Sequence, residues 1–163
     1  MSIPADDYPA TGHAVTTGDW QVRRQAKLLG YAGLIPFVGL ALLQPFIQQD
    51  IQALTGNALV AYGAVIVSFL GAWHWAAAIS GDRRNQAVKQ MLFAVSAALL
   101  GWFAILLPLV HGLLLIIGGL LATLLADSYW SRSQSWYRTL RRRLTFVATL
   151  TLSFAILVTL EVI

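Results

Sequence analysis

Residues 91–126 read MLFAVSAALLGWFAILLPLVHGLLLIIGGLLATLLA, 36 positions without a single Lys, Arg, Asp or Glu. At 1.5 Å per residue one helix of that length would run about 54 Å, against a bilayer hydrocarbon core of about 30 Å. One crossing cannot absorb it; two short ones can. Pro108 stands in the middle, where its ring and missing N–H disfavour a continuous helix. The stretch therefore predicts a tight helical hairpin of Met91–Leu107 and Leu109–Ala126, with Pro108, Val110, His111 and Gly112 about the turn.

Working outward, three further stretches are long and apolar enough to span: roughly Leu28–Ile47, Ala58–Ile79 and Leu144–Leu160. The expected fold class is an all-α integral membrane protein, a bundle of five transmembrane helices over residues 28–163 behind a polar segment, 1–27. Composition agrees. Of 163 residues, 58% are hydrophobic and 11% charged, and the mean hydropathy is +0.68. Soluble domains carry about 25% charged residues. So few charges cannot coat a water-facing surface, which excludes soluble enzymes and disordered chains. Cysteine is absent, and with it disulfides, thiolate metal sites and a cysteine nucleophile. Residues 1–27 include Asp6, Asp7 and Asp19 and no apolar run before Leu28, so no cleaved signal peptide is expected.

The charges decide the threading. Arg23, Arg24 and Lys27 precede the first span, and Arg83, Arg84 and Lys89 separate the second from the third. Arg132, Arg138, Arg141, Arg142 and Arg143 separate the fourth from the fifth, which completes all 11 cations. With five spans they fall on one side, and the positive-inside rule makes that side cytoplasmic. The expectation is a bacterial inner-membrane protein with a cytoplasmic N-terminus and a periplasmic C-terminus. The basic loops then meet anionic lipid headgroups, so the net charge of +4 implies no nucleic-acid partner.

The second span holds the most unusual cluster, Ser68 to Trp75, with His74 about 8 Å below the cytoplasmic interface. Ionisable groups at that depth usually face the bundle interior, and a neutral imidazole needs a donor and an acceptor there. Two readings stand: a helix-joining histidine packed beside Gly71, or a ligand contact made by His74, Trp75, Ser68, Gly71 and mid-span Trp102. His13, His74 and His111 share neither depth nor helical spacing, so no haem, other cofactor or metal site is expected. Trp73, Trp130, Trp136 and Tyr137 read as an aromatic belt, and Arg141, Arg142 and Arg143 as topogenic cations at the interface. Pro36 predicts a kink in the first span. Asp82 and Asp127 fall at cytoplasmic helix ends, where adjacent arginines such as Arg83 and Arg143 are the expected partners.

Several of these features occur together: Leu34-Ile35-Pro36-Phe37 in the first span, and Tyr62-Gly63-Ala64 through Ser68-Phe69-Leu70-Gly71 to His74-Trp75 in the second. Asp127 ends the fourth span, and Trp136-Tyr137 through Leu140-Arg141 and Arg143 lead into the last. In this set the chain resembles a bacterial domain-of-unknown-function family, whose eukaryotic relatives are similar to the mitochondrial transmembrane protein sixty-nine. The resemblance runs from Leu28 to the end. It implies an architecture and an energy-transducing inner membrane, but no reaction. Five helices and many tryptophans also resemble the tryptophan-rich sensory proteins by analogy, without their Trp-Pro loops.

No catalytic serine motif, phosphate loop or paired carboxylate appears, so no enzyme is expected. The leading expectation is an accessory, assembly or structural protein that meets other inner-membrane subunits through the small residues Ala64, Ser68 and Ala72. The competing one is a binding module for an apolar or porphyrin-like molecule at the His74 region. A homo-oligomeric channel or transporter ranks lower, because no carboxylate lies at mid-membrane.

Overall fold

The computed structural model describes residues 17–80, 84–130 and 135–161. The first 16 residues of the polar segment lie outside these, as do Asp82, Arg83 and Arg132. The elements are α1 (Thr17–Ala32), α2 (Ile35–Leu43), α3 (Gln49–Ser80), α4 (Arg84–Leu106), α5 (Leu109–Trp130) and α6 (Ser135–Glu161). One 3-10 turn, Gln44–Phe46, follows α2. Among the described residues there is no strand. Five helices are long and apolar enough to cross a membrane, with α1, α2 and the 3-10 turn together making the first.

The helices outrun their apolar stretches at the basic end, so α1 already begins within the polar segment. Pro108 breaks the quoted 36-residue run as expected: α4 stops at Leu106, α5 starts at Leu109, and His111 is exposed near the turn. Each span turns a narrow stripe inward. Buried positions step by threes and fours, as in Gln90, Ala94, Ala97, Gly101 and Ala104 on α4, or Leu113, Ile116, Leu120, Thr123 and Asp127 on α5. That spacing averages 3.5 residues and suits nearly parallel packing of neighbouring helices.

On one side of the bundle α3, α4 and α5 approach backbone to backbone. A Cβ on Gly101 would stand 2.9 Å from the Ala64 carbonyl oxygen, and one on Gly112 would stand 2.6 Å from that of Ala104. Only glycine admits those approaches, and small residues are how membrane helices gain contact without a hydrophobic driving force. Ala64 and Ser68, expected to receive another subunit, are thus covered by α4 of the same chain: Ser68 Oγ would lie 3.2 Å from the same Gly101 Cβ.

The other side is looser. Pro36 in the first turn of α2 prevents continuation from α1, and the chain breaks at Gly33 and Leu34. The Gly33 carbonyl instead accepts a hydrogen bond of 2.9 Å from the Tyr62 hydroxyl on α3. The Phe37 ring stands edge-on to Tyr62 at 5.0 Å. Below the break α2 packs on α3 and α6. Above it α1 leans on α6, where Gly30 faces Leu144 and Leu140. A cleft opens between α1, α3 and α6.

Candidate functional site

Three inward stripes each carry a polar residue at the basic end of the bundle. On α3 the stripe Val60, Gly63, Val67, Gly71 reaches His74; on α5 it reaches Asp127; on α6, followed back from Ala155 through Leu152, Ala148 and Thr145, it reaches Arg141. The three side chains meet. Arg141 Nε donates to Asp127 Oδ2 at 2.7 Å, and His74 Nε2 stands 3.3 Å from Asp127 Oδ1. The second contact is close enough to be electrostatic but is not aligned as a hydrogen bond. The directed bond therefore belongs to Arg141. His74 is 2% exposed, Asp127 5% and Arg141 7%.

A carboxylate so enclosed needs a cation, because desolvating a lone charge costs several kcal/mol. Arg141 supplies it, and the pair fastens α5 to α6 while His74 brings in α3. Aromatic rings shield the far side of the imidazole. Phe93 stands edge-on to His74 at 5.1 Å and Trp130 at 5.6 Å, and the two aromatic rings lie 5.5 Å from each other.

The cleft adjoins this cluster at Arg141. Its volume is about 700 Å³, and Ala26, Leu29 and Gly30 of α1, Phe69, Trp73 and Ala76 of α3, and Leu144 and Ala148 of α6 are among its walls. Polar residues, Tyr137, Arg141 and Thr145, gather towards the start of α6. Arg141 thus belongs to both features, bonded to Asp127 and lining the cleft.

The residues singled out from sequence separate accordingly. His74 and Gly71 are buried, and Gly71 abuts Ala97 on α4. Ser68 turns its hydroxyl back to the Ala64 carbonyl at 2.8 Å. Trp75 is exposed, and Trp102, 60% exposed, lines a separate shallow hollow with Leu99, Phe103 and Leu115. The structure does not bring Trp75 or Trp102 to His74. Among the belt residues, Trp73 is exposed and lines the cleft, while Trp130 is partly buried against His74. Trp136 sits beside Tyr137, with the Arg23 guanidinium 5.6 Å from its ring centre. Arg142 and Arg143 are exposed, as interface cations would be, but Arg141 is not.

Asp127 is the cluster residue that sequence reasoning undervalued, and its partner is Arg141 rather than Arg143. The reason is phase. Two residues further along a helix point about 200° away, so Arg143 faces outward when Arg141 faces in. A usable signal existed: Arg141 continues the spacing of Thr145, Ala148 and Leu152, and Asp127 that of Thr123, Leu120 and Ile116.

Comparison with known proteins places this architecture. The chain is 36% identical over 136 residues to Transmembrane protein 69 of Xenopus tropicalis, an alignment covering 79% of this chain and 52% of that protein. The chain thus spans about half the length of the curated relative it matches. No solved structure matches it. A family model covers residues 22–157, from α1 almost to the end of α6 and so across cluster and cleft alike. This five-span protein therefore belongs to the family described as Protein of unknown function (DUF3429).

Proposed function

We propose that this multi-pass protein is a non-enzymatic binding module of the bacterial inner membrane, and that it holds an amphiphilic molecule in the cleft between α1, α3 and α6. The observation that carries this reading is the cleft itself: about 700 Å³, apolar over most of its walls, with Tyr137, Arg141 and Thr145 at one end. Ligand sites combine such a volume with an apolar lining and a few placed polar groups. The reading moves the polar contact from His74 to Arg141. His74 is enclosed by Phe93, Trp130 and Asp127 and is not a wall of the cleft.

The surrounding bilayer, with its anionic headgroups, is the partner this reading names. Of the small residues that motivated an accessory or assembly role, α4 covers Ala64 and Ser68, while Ala72 stays exposed at the cleft. Orientation follows the cations: Arg23, Arg24 and Lys27 on α1, Lys89 on α4, and Arg138, Arg141, Arg142 and Arg143 on α6 all lie at one end of the bundle, which is assigned to the cytoplasm. Reporter fusions after Asp50, Asn85, Ser133 and Ile163 should then read outside, inside, inside and outside.

Binding is tested by purification in mild detergent, extraction of retained small molecules, and repetition with Ala72→Trp. Ala72 is exposed and lines the cleft, so the larger side chain fills the space without entering the core. Loss of a retained molecule in a normally folded Ala72→Trp protein is the expected result. Equal retention would overturn the reading.

A further inference from the structure

We infer that the occupant of the cleft is a glycerophospholipid, held by its phosphate and drawn from the leaflet at the basic end. This rests on the binding role proposed above and names the ligand class. Length is the first argument. The cleft runs along α6 from Tyr137 to Ala148 and along α3 from Ile66 to Ala76. At 1.5 Å per residue these are about 16 Å and about 15 Å, half the thickness of the hydrocarbon core. The groove is one leaflet deep. It starts at the interface and ends near the midplane, as a lipid of one leaflet does.

Charge is the second argument. Arg141 commits Nε to Asp127, and a guanidinium carries four further N–H donors. Asp50 and Glu161 lie at the opposite end of the bundle, at the start of α3 and the end of α6. A headgroup phosphate is the anion a bilayer supplies at this depth, and planar guanidinium donors suit it.

The third argument is an unused hydroxyl. Thr55, Thr123, Thr151 and Thr159 each return their hydroxyl to a carbonyl three or four residues back. Thr145 does not: it is 3% exposed, lines the cleft, and its Oγ1 has no partner. It sits one helical turn, about 6 Å, deeper than Arg141. In a glycerophospholipid the acyl ester carbonyls lie below the phosphate, so the phosphate goes to Arg141 and an ester carbonyl accepts from Thr145. The hydroxyl is buried as it stands, so this contact calls for a turn about χ1, and threonine in helices occupies two χ1 wells.

The full-length protein in mild detergent is offered an equimolar mixture of phosphatidylglycerol and diacylglycerol with identical acyl chains, and bound lipid is read by native mass spectrometry. About tenfold preference for phosphatidylglycerol is expected, the scale of one hydrogen bond to a charged group. Thr145→Val, which leaves the Arg141–Asp127 pair intact, should reduce bound phosphatidylglycerol several-fold. Arg141→Gln alone strands Asp127, so the paired change Arg141→Gln with Asp127→Asn is used, and it should abolish the preference. Equal binding of both lipids, removed by Ala72→Trp, would overturn the headgroup assignment and leave the cleft as a binding site. Lipid binding that survives Ala72→Trp unchanged would overturn both.

Discussion

The two sides of this bundle are built from the same kinds of residue and behave differently. Across α3, α4 and α5, small residues let main chains touch: Gly101 lies against Ala64, Gly112 against Ala104, and Gly71 against Ala97. Between α1, α3 and α6, the break at Gly33 and Leu34 tilts α1 away, and side chains line a gap instead of filling it. The first side has the contact density that holds a fold, and the second has room. The His74–Asp127–Arg141 cluster stands between them, with His74 and Asp127 on helices of the dense side and Arg141 on α6.

The strongest challenge to this contrast is Asp127→Leu. It leaves Arg141 buried without its carboxylate, and removing one partner of a buried pair costs about 3–5 kcal/mol. The apparent unfolding midpoint in mild detergent, followed by tryptophan fluorescence, should fall sharply, and adding Arg141→Leu should recover most of the loss. A single variant as stable as the wild type would mean that the cluster does not clamp the helices. Next in size is Gly112→Val. Its Cβ would lie 2.6 Å from the Ala104 carbonyl oxygen, so α5 must move off α4. Overpacking of that kind costs about 1–3 kcal/mol, and the same melts would record it.

Tyr62→Phe probes the loose side. It removes the hydrogen bond to the Gly33 carbonyl, and the net loss should be about 1 kcal/mol, the usual value of one such bond. The smallest change has the opposite sign. Nothing lies within 4 Å of a Cβ built on Gly118, so Gly118→Ala removes a helix-interior glycine without a clash. It should stabilise by about 0.5 kcal/mol. A loss there would mean that α5 has a close neighbour at that face.

The spans, the hairpin and the kink were legible because each has a local cause. Apolar length sets a crossing, Pro108 ends one helix before another begins, and Pro36 cannot continue α1. The cluster was less legible because its members come from three helices, with Asp127 53 positions after His74 and Arg141 14 positions after Asp127. Within Arg141-Arg142-Arg143 composition is uniform, and only the phase of α6 separates the inward residue from its neighbours. The cleft was not legible at all. It is a property of how far α1 leans, and its wall residues Leu29, Leu144 and Phe69 read as ordinary lipid-facing positions.

The order of the chain gives the ion pair a consequence during synthesis. Asp127 closes the fourth crossing and Arg141 opens the fifth, so the carboxylate is made before its cation. Until α6 arrives, His74 is the neighbour Asp127 has, and no guanidinium is beside it. A nascent chain halted after α5 therefore lacks the guanidinium that keeps this enclosed carboxyl ionised in the finished bundle. The fourth helix thus depends for its charge balance on the helix made after it.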